Sequence, residues 1–338
     1  MIDFRSDTVT MPDEAMRDVM ATAEVGDDVY GEDPLASRLE TQIADLLGKE
    51  AGLFVSSGTQ SNLIAMLTHA SRGEEVLSGA QYHSLYYEAG GIAALGGVIP
   101  CPLPVNSDGS LNASDVEQAV KQDDYHYPVS RLLSLENTHN GLVQQKQTLQ
   151  ALCELAHEKG LSTHLDGARL MNAVIATNVS AADYARSFDS VSLCLSKGLG
   201  APVGSVLVGS ASFISRARRL RKMLGGGMRQ VGMMAAAGLY AIDHNVSRLK
   251  DDHMRAKTLA QGLNDILGIH VDMDSVQTNM VYMQVPEAMK STLPERLMAG
   301  NIRISPAKKM FRLVVHKDID DDGISAMLHQ LASIMATA

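Results

Sequence analysis

SVSLCLSKGLGAPVGSVLVG, residues 190–209, sets one lysine between two apolar runs. Ser190-Val191-Ser192-Leu193-Cys194-Leu195 alternates polar and apolar residues as a half-buried strand does, and Val203 to Val208 reads as a second strand. Between them, Gly198, Gly200 and Gly204 let the backbone approach a neighbouring group closely, which a solvent loop does not require. A turn lysine reaching into water is the ordinary reading of such a residue. The small apolar flanks instead place Lys197 inside a site.

Outward from this segment, short apolar runs alternate with helical patterns. GLFVS (52–56), EVLSG (75–79), GGVIPC (96–101), RLLSLEN (131–137), STHLDGA (162–168), SVSLCLS (190–196) and VGSVLVG (203–209) read as strands, with TLQALCELAHEKG (148–160) as one crossover helix. Such alternation predicts an α/β domain whose mainly parallel sheet is covered on both faces. Ahead of it, Asp33-Pro34 offers an N-cap and a first-turn proline, Leu35, Leu39, Ile43 and Leu47 repeat at four-residue spacing, and Gly48 supplies a stop. The predicted layout is an N-terminal segment with a helix (1–48), a large domain (49–248) and a smaller α+β C-terminal domain (249–338). The second boundary follows a long helix ending near Asn245, and no linker, repeat or low-complexity tract marks it.

Global quantities limit the chemistry. A chain of 338 residues can bury a sizeable core. With 29 Lys+Arg against 39 Asp+Glu, the formal charge of -10 argues against nucleic acid or an anionic membrane as partner. Cys101, Cys153 and Cys194 are unequally spaced in apolar settings, which predicts a reduced cytoplasmic protein rather than a disulfide scaffold. MIDFRSDTVT (1–10) carries charges at Asp3, Arg5 and Asp7 and lacks the apolar centre of a signal peptide. No apolar stretch reaches the length of a membrane span.

Three features in the strand-rich region carry chemistry. FVSSGTQSN runs from a strand through Ser57, Gly58 and Thr59 into a helix, where free N–H groups and the positive dipole end suit a phosphate. The same hydroxyls are also ordinary N-caps. THLDGARLMNA ends a strand at Asp166, and in open α/β sheets ligands lie beyond that edge. Asp166 could equally cap the helix that follows. His164 shares its strand face, but the pair has no third ligand, so no metal is expected. A phosphate anchor, a strand-end carboxylate and a glycine-flanked lysine, in that order, are what holds pyridoxal phosphate: the carboxylate keeps the pyridine nitrogen protonated and the lysine forms the Schiff base. Partial desolvation and a neighbouring cation would favour the neutral, nucleophilic amine.

RSDTVT (5–10), VGDDVYGEDP (25–34), SSGTQSN (56–62), LENTHNG (135–141), HLDGAR (164–169), SLCLSKGLGAPVGS (192–205), RKMLGGGMRQ (221–230), QTNM (277–280) and RLVVH (312–316) together resemble the low-specificity L-threonine aldolase family, over nearly the whole chain. The resemblance implies a fold-type I pyridoxal-phosphate enzyme of aspartate-aminotransferase-like architecture. It implies a homotetramer of close dimers with active sites at the dimer interface, and cleavage of threonine or allo-threonine to glycine and acetaldehyde. It makes Lys197 the Schiff-base lysine, Asp166 the pyridine-nitrogen partner, Gly58 and Thr59 phosphate contacts, and His83 the imidazole stacked on the cofactor ring. Ser6, Arg169 and Arg312 match the substrate-carboxylate site, a role that suits an arginine fork. Lys222 and Arg229 match basic residues reaching a neighbouring subunit's site, although RARRLRKM (216–223) also reads as an exposed basic helix face. His83 and His126 match histidines near the substrate hydroxyl, and histidine is the natural base near neutral pH.

After His83 the chain reads Ser84-Leu85-Tyr86-Tyr87, a departure from the family's aromatic pattern that bears on side-chain stereochemistry. A fold-type I aminotransferase, a β-eliminating lyase and a catalytically idle cofactor-binding protein are the other readings of the same residues.

Overall fold

The computed structural model describes residues 1–307 and 309–337. Its strands are β1 (Ile2–Asp3), β2 (Ala51–Val55), β3 (Glu75–Gly79), β4 (Ile99–Leu103), β5 (Ser130–Glu136), β6 (Ser162–Gly167), β7 (Ser190–Cys194), β8 (Ser205–Gly209), β9 (His270–Val271), β10 (Met280–Gln284), β11 (Ile302–Arg303) and β12 (Phe311–Val314). The helices are α1 (Glu14–Ala21), α2 (Pro34–Leu47), α3 (Gly58–His69), α4 (His83–Tyr86), α5 (Gly91–Gly96), α6 (Ala113–Ala119), α7 (Lys146–Glu158), α8 (Leu170–Thr177), α9 (Ala181–Ala185), α10 (Ala211–Met223), α11 (Gly232–Asn245), α12 (Leu249–Asn264), α13 (Leu293–Ala299) and α14 (Asp321–Ala336).

A sheet in the order β2-β8-β7-β6-β5-β3-β4 forms the large layer, parallel throughout except for β8, which runs antiparallel to both neighbours. All seven apolar runs marked as strands lie in it. Alternation along β2 shows how it is covered: Leu53 and Val55 pack with Ile64 of α3 and Phe213 of α10, whereas Phe54 enters the core shared with α2, α7 and α11. The α2 helix forms as its residues predict. Asp33 accepts from the Ala36 N–H, Pro34 opens the first turn, Leu39, Ile43 and Leu47 are buried, and Gly48 ends the helix at φ +63°.

Reversal between β7 and β8 depends on glycine. Gly204 sits at φ +106°, and a Cβ there would lie 2.5 Å from the Phe54 ring. Gly200, at φ +80°, lies against the Lys317 stem, and Gly198 lies against Leu249. The close approach read from these glycines is therefore to the protein itself, and it pins the Lys197 loop between β2 and the C-terminal elements.

A second core contains Leu259, Leu263, Val281, Met283, Leu313, Met327 and Leu331, built on the antiparallel order β12-β10-β9 and on α12, α13 and α14. The chain's start belongs to this core: β1 pairs parallel with β11, and Phe4 is fully buried there. By contrast, α1 and α2 pack on α11 of the large core. Residues 5–13 consequently cross between the cores, and this crossing carries Asp7 to the Lys197 loop. None of the helices is long and apolar enough to cross a membrane, among the described residues.

Candidate active site

Asp166 is the last acidic residue of β6, registered with Glu136 of β5 and Ser192 of β7 at the carboxyl edge of the sheet. Its Oδ1 accepts from the Ala168 N–H (3.0 Å) and its Oδ2 from Asn62 Nδ2 (2.8 Å). It does not cap the following helix, whose N-cap position is held by Arg169 with no side-chain capping bond.

The α3 helix starts at the same edge. Ser57 Oγ accepts from the Gln60 N–H (3.1 Å), so Ser57 is the N-cap, and the N–H groups of Gly58 and Thr59 have no partner among the described residues. Ser205 Oγ is buried without a hydrogen bond among the described residues and lies 3.7 Å from where a Gly58 Cβ would stand. Two free donors and an orphaned hydroxyl at a helix start suit an anion.

Lys197 follows β7. Its carbonyl accepts from Thr10 Oγ1 (2.9 Å) and the Gly200 N–H (2.9 Å), while its amine makes no hydrogen bond or ion pair among the described residues. The sequence reading expects a cation beside it, and the structure adds an anion. Asp7, wholly buried, receives both Arg169 Nε (2.7 Å) and an Arg169 terminal nitrogen (2.5 Å). Burial pushes the Asp7 carboxyl up, but the charge and hydrogen bonds of Arg169, then Lys197 and Asn279, outweigh it and hold it at about 2. Asp7 thus takes the Nε edge of the Arg169 guanidinium, and its other terminal nitrogen, Nη1, makes no hydrogen bond among the described residues. Arg312, on β12, donates to the Arg5 carbonyl (3.2 Å) and stands opposite Tyr282 of β10, on which its charge and hydrogen bond also act. Its remaining N–H groups are available. Ser6 Oγ caps the short turn that follows it by accepting from the Thr8 N–H (3.2 Å).

Residues 3–286 match the beta-eliminating lyase family. The low-specificity L-threonine aldolase of Escherichia coli K12 is 44% identical over 99% of this chain and 100% of its own length. The chain belongs to the low-specificity L-threonine aldolase family. The low-specificity L-threonine aldolase 1 of Arabidopsis thaliana is likewise 44% identical, covering 99% of this chain and 97% of its own. Among solved structures, a threonine aldolase from Leishmania major superposes with a TM-score of 0.85 at 25% identity, covering 99% and 100% of the two chains.

Not every residue that the aldolase resemblance marks is brought to the Lys197 edge. His126 lies on the loop leading to the amino end of β5, exposed, its Nδ1 on Asp124 Oδ1 (2.6 Å) and its ring 3.9 Å from that of Tyr125. Arg229 pairs with Asp27 (2.8 Å), and Lys222, at the end of α10, lies beside Gly227. Gly226, one residue earlier, packs on Gln60 of α3, so this basic segment borders the anion-suited helix start from outside.

His83 opens α4, with its N–H donating to Glu136 Oε2 (2.6 Å) and its Nδ1 2.9 Å from Glu88 Oε1. Asn62 Nδ2 donates to both Glu88 Oε1 and Asp166 Oδ2, each at 2.8 Å. Behind it, His164 Nε2 contacts Asn62 Oδ1 (3.2 Å), His164 Nδ1 contacts Ser190 Oγ (2.8 Å), and His69 Nε2 contacts the same hydroxyl (2.8 Å). His164 therefore supports Asn62 rather than facing a ligand. Sequence reasoning did not single out Asn62, Glu88, Asp7 or Tyr282. The one local signal was Asn62 itself, an amide at a buried helix position, where a polar group needs a partner.

Burial lowers the His164 imidazole to about 3 and the His69 imidazole to about 4. Both folded values lie below the ordinary 6.5, so between those values the unfolded chain binds the extra protons and stability falls as pH falls. Denaturant midpoints should decline from pH 6.5 downward, with the contribution of His164 levelling off only near pH 3. His164→Gln should flatten that slope, and an unchanged slope would show that this imidazole is not held neutral.

Proposed function

We propose that this chain binds pyridoxal phosphate and cleaves L-threonine or L-allo-threonine to glycine and acetaldehyde. The observation that carries the reading is the unpaired amine of Lys197 at the same sheet edge as the Asp166 carboxylate and the α3 start, with Arg312 available across the site. The residues fit the cofactor: Ser205 Oγ and the Gly58 and Thr59 N–H groups suit its phosphate, and the Asp166 carboxyl, fixed by Asn62, suits a protonated ring nitrogen. Bound there, pyridoxal phosphate supplies the sink for the electron pair released when Cα–Cβ breaks.

Arg312 takes the substrate carboxylate, with Tyr282 opposite it on β10. Asp7 orders the Arg169 guanidinium and adds negative charge near the Lys197 amine. His83 Nε2 takes the proton of the β-hydroxyl. His126 sits at the amino end of β5, and Lys222 and Arg229 outside the α3 start, so their family roles are assigned to a neighbouring subunit's site in a homotetramer. A second reading, β-elimination, is favoured by the family match over residues 3–286.

Incubation of the loaded protein with L-threonine, L-allo-threonine, their D-enantiomers, L-serine and L-cysteine separates the two. Acetaldehyde from the L epimers is expected, whereas ammonia and a keto acid from serine or cysteine without aldehyde would establish elimination instead. His83→Phe keeps a flat ring without a proton acceptor and should lose roughly 10²–10⁴ in rate while keeping the cofactor's absorption. His126→Ala should slow the two epimers unequally. Parent rates in both variants would require a proton route using neither imidazole.

A further inference from the structure

His83 can act as a base only if its Nε2 presents a lone pair, and the tautomer is decided at the other nitrogen. That nitrogen, Nδ1, lies 2.9 Å from Glu88 Oε1, which also accepts from Asn62 Nδ2 at 2.8 Å. An ionised Glu88 accepts at Oε1 from Asn62 and has no hydrogen to give, so Nδ1 carries the hydrogen in their contact. Burial, with the charge of Asp166, pushes the Glu88 carboxyl up, the hydrogen bonds of His83 and Asn62 oppose this, and the other oxygen, Oε2, is buried without a partner among the described residues. Among the described residues His83 Nε2 makes no hydrogen bond, and the side chain keeps 43% of its surface exposed.

We propose that Glu88 is the positioning residue that makes His83 a base, holding the Nδ1–H tautomer with Nε2 open toward the substrate and stabilising the imidazolium formed when Nε2 takes the β-hydroxyl proton. The proposal rests on the aldolase reading above. Balance is simple: the hydroxyl hydrogen moves to Nε2, the Nδ1 hydrogen stays on nitrogen in its bond to Glu88, and one positive charge appears beside one carboxylate. The groups that face the imidazole are Glu88 by hydrogen bond, Asp166 and Lys197 by charge, Tyr87 by its ring at 5.5 Å, and Glu136 at the backbone N–H. The hydrogen bond to Glu88 is the largest influence on His83 and raises its pKa above the ordinary 6.5, against burial, which lowers it.

Asn62 makes the arrangement rigid. Its two amide hydrogens serve Glu88 and Asp166, and His164 at its oxygen keeps the amide from flipping. The same amide thus aligns the carboxylate behind the base with the carboxylate assigned to the cofactor ring.

Glu88→Gln in the loaded enzyme keeps an oxygen for Nδ1 and Asn62 but removes the charge. The expected result is a kcat lowered roughly 10- to 100-fold and an acid limb of kcat/KM moved to lower pH, since the anion that raises His83 is gone. The glycine-induced spectral midpoint should stay within about twofold, because Gln keeps the acceptor that Asn62 uses and residue 88 contacts neither Arg312 nor the Gly58 and Thr59 N–H groups. Glu88→Asp, which restores the charge, should return the limb toward its parent position. A parent-like limb and kcat in the Gln variant would overturn the proposal, as would a changed glycine midpoint with an unmoved limb. Should the Gln variant fail to fold, an acid limb in Glu88→Asp shifted as far as that of Glu88→Ala would also overturn it. Absence of aldehyde from the parent protein would instead overturn the aldolase reading, and that measurement precedes the variants.

Discussion

Lys197→Ala should yield a folded protein that retains no borohydride-stable cofactor and cleaves no threonine. The loop is held by its main chain, through Thr10 Oγ1 on the Lys197 carbonyl and through Gly198, Gly200 and Gly204 against Leu249, Lys317 and Phe54. Truncating the side chain disturbs none of these contacts. Asp7 keeps Arg169 and Asn279 when the ammonium is gone, so its buried carboxylate is not left unpaired. The thermal midpoint should therefore move by only a few degrees while activity disappears, because an activated amine nucleophile has no substitute at that position. Borohydride reduction of the parent followed by peptide mapping checks the assignment. An adduct on Lys222, Lys317 or any other lysine would sink it.

Arg312→Ala should weaken amino-acid binding about 30- to several-thousand-fold, the range that corresponds to about 2–5 kcal/mol for removing one charged partner of a buried contact. Its bond to the Arg5 carbonyl leaves donors for a ligand, whereas Arg169 gives its Nε and one terminal nitrogen to Asp7. Cofactor absorption should be unchanged, since Arg312 lies on β12 of the small core and the α3 start and Asp166 lie on the large one. Arg312→Lys should recover little, because a point ammonium cannot reproduce the planar fork. An unchanged KM in the alanine variant would return the carboxylate role to another cation. The contrasting expectation for Arg169→Ala is loss of stability as well as of binding, since it strands the buried Asp7 carboxylate.

Strands were legible because their signal is local. Two-residue alternation in 190–195 and the apolar runs at 52–56 and 131–137 need no knowledge of a partner, and the glycines at 198, 200 and 204 mark a close backbone approach by their lack of a side chain. Asp33-Pro34 and Gly48 bracket α2 for the same reason. The anion-suited start at Ser57, Gly58 and Thr59 and the strand-end Asp166 could likewise be placed, since each follows from where a strand or helix begins or ends. What the glycines approach could not be read, because Phe54, Leu249 and Lys317 come to the loop from three other parts of the chain.

Charge pairing around the lysine belongs to the fold as a whole. Asp7 meets Arg169 across 162 residues because the N-terminal chain leaves one core with Phe4 and enters the other with α1. Asn62 meets Asp166 across 104 residues because α3 packs over β6 and β7. Residue type and spacing along the chain thus specify which groups are presented at the sheet edge. How far Arg169 is engaged by Asp7, and that Arg312 faces the same edge, follows from how two separate cores dock. Each buried charge must find a partner in the geometry that this docking leaves, and no property of the flanking residues encodes that geometry.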